Sequence, residues 1–281
     1  MKNKRKTILS IILTAALLVS VPVQTAAATE NQPGNIDYSL VFDADYYYQT
    51  YPDLQQSIGN NPAALLNHFI NSGMKEGRNG NAAFQVKAYM YYNPDLMAVY
   101  GNNDLSSYYT HYITCGKAEN RKTLFDKEDA FPENTLGKFT TLYNTAEDRA
   151  VNVELSAARI NGMIIEPGNT FSYSNSVGTR SLANGYVVAP SFAGGRVVSS
   201  VGGGICQTSS TLYAAMVLAG IPATQHYLHS LPVDYVPRGL DAAIVEGYKD
   251  LKFKNNFDYP VTINAVAKDG TLTISIVKTE I

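Results

Sequence analysis

Cysteine is scarce in this chain: Cys115 and Cys206 are the two present among 281 residues. At most one disulfide can form, so the cross-linked framework of a small secreted domain is excluded. The two cysteines lie in stretches of different texture, which assigns them to separate domains and leaves both thiols free. Basic residues are also few, 22 Lys and Arg against 24 Asp and Glu, for a formal charge of −2. That balance argues against a nucleic-acid partner. Only four histidines are present, and Cys206 with His226 and His229 would offer zinc a single thiolate, a poor ligand set. No metal and no cofactor is expected.

What the chain does have begins with a leader. Lys2, Lys4, Arg5 and Lys6 precede an apolar run from Ile8 to Val23, interrupted by Pro22 and followed by Ala26-Ala27-Ala28. These are the three parts of a secretory signal peptide, residues 1–28, cut after Ala28. The run is short for a membrane span. No cysteine follows it to carry a lipid, so the mature chain is expected outside the cytoplasm with no stable membrane insertion. Removing the leader's basic residues makes the remainder more acidic.

Self-comparison reveals two copies of one unit. Phe42-Asp43 through Tyr51-Pro52-Asp53-Leu54, Gly59-Asn60-Asn61, His68 and Gly73 recurs from Phe84 through Asn93-Pro94-Asp95-Leu96, Gly101-Asn102-Asn103, His111 and Gly116. The offset is 42 residues up to the Gly-Asn-Asn turn and 43 beyond it. Repeats of this length are commonly helix pairs that bury a face against a neighbour. The pattern predicts a small all-α region at 38–125, with copies at about 40–81 and 82–124. Each has a Tyr-bearing helix, a loop opened by Pro-Asp, and a second helix capped by Gly73 or Gly116. His68 and His111 are expected to pack or cap, and Cys115, aligned with Ser72, to be a small structural residue. The unit resembles tandem repeats of many bacterial surface proteins. Its tyrosines are expected chiefly in the repeat core, with stacking on wall glycan as the alternative.

Residues 126–135, with Pro132, form a linker. Beyond it the texture becomes mixed, and an α+β domain is predicted over 136–281. Strands are expected at 139–143, 163–165, 186–189, 197–198, 233–236, 251–254, 261–267 and 272–277, with Lys268-Asp269-Gly270 as a hairpin turn. A helix over 148–160 is expected to bury Val151, Leu155 and Ala158.

The most informative stretch is Gly202-Gly203-Gly204-Ile205-Cys206-Gln207-Thr208-Ser209-Ser210-Thr211. Its glycines give a loop that backbone or ligand can approach closely, and Leu212, Ala215, Met216 and Ala219 continue as a buried helical face ended by Gly220. Cys206 then falls in the first helical turn. Free amides and the positive end of the helix dipole favour thiolate there, against an ordinary thiol pKa of about 8.5. The other reading is a buried cysteine at a tight turn. A phosphate loop is disfavoured because no Lys-Ser/Thr pair follows the glycines. For proton transfer, His229 is preferred to His226. Asp241 is the first candidate to orient the imidazole, with Asp250 and Asp234 as competitors. Gly203, Gly204, Gln207, Ser209 and Ser230 are candidate oxyanion or substrate contacts.

These residues also carry a resemblance. Arg149 with Asn152, Ile160-Asn161-Gly162, Glu166-Pro167-Gly168, the Gly202 to Tyr213 segment, His229-Ser230, Tyr235-Val236-Pro237 with Gly239 and Asp241-Ala242, and Asp250-Leu251 with Phe253 and Asn255 resemble the VanW-like family. Some clostridial members look like L,D-transpeptidases that use the cysteine of the glycine motif. The resemblance therefore implies Cys206 as nucleophile and peptidoglycan stem peptides as partners. The alternatives are a cysteine carboxypeptidase or amidase of the wall, and a wall-binding protein without catalysis.

Overall fold

A computed structural model describes residues 36–102, 104–193 and 195–280. The segment expected as a signal peptide, residues 1–28, lies outside the described residues. The first copy of the repeat contains helices α1 (Ala44–Thr50), α2 (Pro52–Ser57) and α3 (Pro62–His68), the last running into a π-helical turn, Phe69–Gly73. The second contains α4 (Val86–Tyr92), α5 (Pro94–Tyr100) and α6 (Leu105–His111), again with a π-helical turn, Tyr112–Gly116. Pro-Asp thus opens a helix in each copy, where a loop was expected. Pro52 and Pro94 occupy the first helical turn, where a missing N–H costs nothing and the fixed φ is helical. Asp43, Asn61 and Asp104 accept from backbone amides three residues on and set the other starts.

Gly73 and Gly116 do not act as left-handed caps. A Cβ on Gly73 would stand 2.3 Å from the Tyr47 hydroxyl, and one on Gly116 would stand 2.0 Å from that of Tyr89. The missing side chain lets each phenol reach the histidine of its own copy, Tyr47 to His68 Nδ1 at 3.1 Å and Tyr89 to His111 Nδ1 at 2.8 Å. Tyr47, Tyr89, Tyr108 and Tyr109 are fully buried, the first two and Tyr109 packing on Phe69 or Phe84 and Tyr108 on Tyr100, so these rings serve the core and are closed to sugar. Cys115 is exposed.

The stretch expected as a linker is packed. Tyr92 donates to Asp129 Oδ2 at 2.7 Å, and Phe125 and Phe131 pack against Tyr91, the first tilted and the second edge-on. The chain then enters β1 (Thr135–Leu142), α7 (Arg149–Ile160), β2 (Met163–Ile165), β3 (Thr170–Ser172) and α8 (Tyr173–Val177). After these come β4 (Val188–Ala193), β5 (Arg196–Val201), α9 (Ile205–Ala219), β6 (Ala223–Gln225), β7 (Lys252–Lys254), β8 (Val261–Lys268) and β9 (Thr271–Lys278).

An antiparallel sheet in the order β1-β9-β8-β2 forms the base. Its inward side chains alternate, Val261, Ile263 and Ala265 on β8 with Leu272, Ile274 and Ile276 on β9, as one covered face requires. Helices α7 and α9 pack on that face and on each other. Asp269 and Gly270 both take left-handed backbone in the β8–β9 turn, the geometry that matches strand twist. A second sheet runs β3-β7-β6, and β4 and β5 pair only with each other. Residues 233–236 form no strand. They lie along a cleft and pair with no other segment as a ladder.

The burial of α7 is the reverse of the expected one. Val151 is 46 % exposed, whereas Asn152, Val153, Ser156, Ala157 and Ile160 are buried. Hydrogen bonding explains the choice of polar residues. Asn152 Nδ2 donates to Gly203 O at 2.8 Å and to Val187 O at 3.0 Å, while its Oδ1 accepts from Val187 N at 2.9 Å. Ser156 and Thr208 share a bond of 2.8 Å between α7 and α9. These contacts hold the β4–β5 hairpin and the entry to α9 against α7.

The repeat region and the α+β half touch. Lys87 Nζ donates to Leu136 O at 2.9 Å. A Cβ on Gly239 would meet the Ala98 carbonyl oxygen of α5 at 2.5 Å.

Candidate functional site

Helix α9 opens from Gly204, whose φ of 109° is one that residues with side chains rarely adopt. Gly203 is needed for a different reason. Its absent Cβ would lie 2.4 Å from Ala189 O and 2.5 Å from Pro190 O, so hairpin and helix entry meet at backbone contact. Gly203→Ala is therefore expected to destabilise the fold by about 3 kcal/mol through overpacking that backbone cannot relieve. A loss of that size lowers Tm by roughly 6–12 °C for a chain this long, measurable by thermal unfolding.

The first turns of α9 are polar and fully buried from Gln207 to Thr211, and each hydroxyl has a partner. Ser209 Oγ donates to Ala242 O at 2.7 Å. Ser210 Oγ donates to Cys206 O at 2.6 Å and accepts from Ala242 N at 2.8 Å. Thr211 Oγ1 bonds Gln207 O and Thr141 Oγ1. The two serines thus pin the 242–244 segment along the mouth of α9. The Ile244 amide consequently points at Cys206 Sγ from 3.4 Å, a donor suited to a thiolate.

The same segment carries the histidine. Ala243 N donates to Tyr227 O at 2.7 Å, and His226 Nε2 meets Asp241 O at 2.8 Å while its ring stacks on Tyr213 at 3.9 Å. His229 and Asp241 are 7 % and 2 % exposed. Asp241 Oδ2 accepts from His229 Nδ1 at 2.8 Å and from the His229 amide at 2.6 Å, and Oδ1 accepts from Gly239 N at 3.0 Å. That bond fixes the imidazole's tautomer and orientation.

Electrostatics follow from these contacts. Burial pulls the His229 pKa down, but the bond to Asp241 and the hydrogen bonding and charge of Cys206 outweigh it and push the pKa up to about 9. Burial raises Asp241, yet the His229 side chain, the His229 amide and the Gly239 amide hold it at about 2. Burial lowers His226, overcoming its bond to the Asp241 carbonyl. Tyr235 is raised by burial and then by the charge of Cys206.

A cleft of about 470 Å³ opens over the sulfur, and Cys206, Gln207, Gly204, His229, Ser230 and Tyr235 line it. Its far wall is the β4–β5 hairpin, from which Phe192 sets its ring edge-on to His229 at 6.1 Å. The structure therefore brings Cys206, His229 and Asp241 together. It places Asp250 elsewhere, accepting from Ser172 Oγ at 2.6 Å and Ser174 N at 2.8 Å at the start of α8. Asp234 is exposed on the cleft rim. Gly203 and Ser209 stand behind the lining as packing and tethering residues, a departure from the contact role expected of them. Among backbone donors, the Ile205 and Gln207 amides are committed to Gly202 O and Gly204 O. The Cys206 amide takes no partner among the described residues. Tyr235, Phe192 and the Ile244 amide were not foreseen as site groups. Tyr235 stood in a recognisable motif, whereas a backbone donor from a distant loop leaves no mark in sequence.

Fold and site together define a class: an α+β domain that sets thiol, imidazole and carboxylate along one cleft. Residues 148–277 match the family model described as "VanW like protein", so the C-terminal half carries a VanW-like domain. Over 147 residues the chain is 37% identical to "Uncharacterized protein YoaR" of Bacillus subtilis (strain 168), covering 52% of this chain and 48% of the relative. Over 141 residues it is 32% identical to "Vancomycin B-type resistance protein VanW" of Enterococcus faecalis (strain ATCC 700802 / V583), covering 48% and 50%. The chain thus matches about half the length of each relative. No solved structure matches it. Among the described residues no helix is long and apolar enough to cross a membrane.

Proposed function

We propose that this protein is a cell-wall acyltransferase, an L,D-transpeptidase that works through Cys206. The observation that carries the reading is the single cleft in which Cys206 meets a buried His229 held by Asp241. The relative named for vancomycin resistance supports a wall context. Peptidoglycan stem peptides are the substrate class, and the expected leader would deliver the protein to them.

In the first half-reaction the Cys206 sulfur attacks the carbonyl carbon linking an L-centre to the terminal D-residue. The carbonyl electron pair moves to oxygen, where the free Cys206 amide donates. As the tetrahedral centre collapses, the C–N bond breaks, and the leaving amine takes its proton from His229. A thioester remains. In the second half an amine from another stem attacks that thioester, gives its proton to His229 and releases the Cys206 thiolate. Water in place of the amine yields carboxypeptidase action.

The test is to incubate purified full-length protein with tetrapeptide muropeptides and follow intact mass. The expected result is a protein adduct equal to the peptide less its terminal residue, with a cross-linked dimer among the products. Hydrolysed tripeptide without dimer would make the enzyme a carboxypeptidase. Unmodified protein with unchanged muropeptide would remove catalysis and leave binding.

A further inference from the structure

Arg149 begins α7 on the rim of the cleft, directly beside the mouth of α9. A Cβ on Gly204 would lie 3.0 Å from the Arg149 carbonyl oxygen and 3.1 Å from its Cβ, so the residue is seated against the turn that presents Cys206. Its guanidinium carbon stands 5.8 Å from the centre of the Tyr235 ring, a distance at which the ring face steadies the cation. Arg149 and Tyr235 both line the cleft with Cys206.

Three other arginines hold carboxylates, and Arg159 donates to the carbonyls of Val177 and Asn184. Arg78 has Asp53 and Glu76, Arg121 has Asp95 and Glu119, and Arg180 has Glu246 at 3.5 Å. Among the described residues, no carboxylate lies within ion-pair distance of Arg149. Glu147 and Asp234 share the rim but are exposed, and Glu147 accepts instead from Asn144 Nδ2 at 3.1 Å. A half-buried guanidinium with its fork unused is a receptor for a planar anion, and carboxylate fits it bidentately. In a peptide bound with its scissile carbonyl at Cys206, the carboxylate of the next residue lies about one residue length, roughly 3.5 Å, further along.

We infer that Arg149 binds the free C-terminal carboxylate of the donor peptide, so that the site measures one residue back from a chain end and rejects peptides lacking that end. This rests on the reading of Cys206 as the acylated residue and adds the feature that selects the donor. Lys249 also lines the cleft, and its ammonium lies over the Tyr227 ring at 5.8 Å.

The test is calorimetric binding to full-length Cys206→Ala protein, comparing a tetrapeptide with a free terminal carboxylate and the same peptide as its carboxamide. The acid should bind about ten- to a hundredfold more tightly, the worth of a charge-assisted pair. Adding Arg149→Gln should weaken acid binding to the amide's level and leave the amide unchanged, whereas Arg149→Lys should keep part of the preference. Thermal unfolding of each variant identifies any that has lost its fold. Equal affinity for acid and amide overturns the inference. So does a preference abolished by Lys249→Gln and kept by Arg149→Gln. Acylation by the native protein is read separately, so failure of Cys206 chemistry and failure of carboxylate recognition give different results.

Discussion

Cys206→Ala is expected to abolish the thioester adduct and lower turnover of tetrapeptide muropeptides at least a thousandfold, roughly the loss seen when an activated nucleophile is removed. Alanine keeps the backbone of α9, and with it the free Cys206 amide, but nothing remains to attack. The substitution removes one sulfur from a half-buried site, so Tm should move only a few degrees. The control is built into the composition, because Cys115 is the only other thiol in the chain. It is exposed on the repeat region, and Cys115→Ala should leave both adduct and turnover as they were. Activity surviving in Cys206→Ala, measured by mass spectrometry of products, would remove Cys206 from the mechanism.

Asp241→Asn is expected to cost about a hundred- to ten-thousandfold in turnover at neutral pH, because asparagine can present its NH2 to Nδ1 and fix the wrong tautomer. Its signature is in the pH profile. In the native protein the leaving amine needs His229 protonated, so turnover should fall as pH rises through about 9. Without the Asp241 charge and hydrogen bond, that limb should move down toward the ordinary histidine value of 6.5. Stability follows the same two groups. The His229 pKa lies above its ordinary value, so its contribution is whole below 6.5 and lost as pH rises through about 9. The Asp241 pKa lies below its ordinary 3.8, so its contribution is whole above 3.8 and lost as pH falls through about 2. The Tm advantage of native protein over Asp241→Asn should therefore be greatest between these two ordinary values and shrink on both sides. A variant that melts in parallel with the native protein across this range would show the carboxylate is not what holds the imidazole charged.

Much of the site is legible in sequence because its parts are carried by residue types with few substitutes. A glycine-rich loop, one cysteine at a helix start, and a His-Ser pair followed by Gly-x-Asp need no tertiary information to be noticed. The supporting contacts are harder to see. The α7 face looked apolar through Val151, Leu155 and Ala158, yet the helix buries Asn152 and Ser156. Their partners are two carbonyls and a threonine supplied by segments 35 to 52 residues away. Val233 and Val236 had the composition of a strand, but the segment lines a cleft and so has no ladder to join. Pro-Asp looked like a break between helices because proline ends one, while here it begins the next. The free amide of Cys206 could not be told from its neighbours until the bonds of Ile205 and Gln207 were known.

The seat of Gly239 on Ala98 ties the second helical unit to the candidate site. Gly239 donates its amide to the carboxylate that orients His229, and its other side is filled by the carbonyl of α5. The corresponding positions of the first copy are Gln55 and Gln56, both exposed, where the second has buried Met97 and half-buried Ala98. The two units are thus not interchangeable. The unit adjoining the α+β half is thereby part of the support behind Asp241, and a side chain at position 239 would press on α5 and on that support at once.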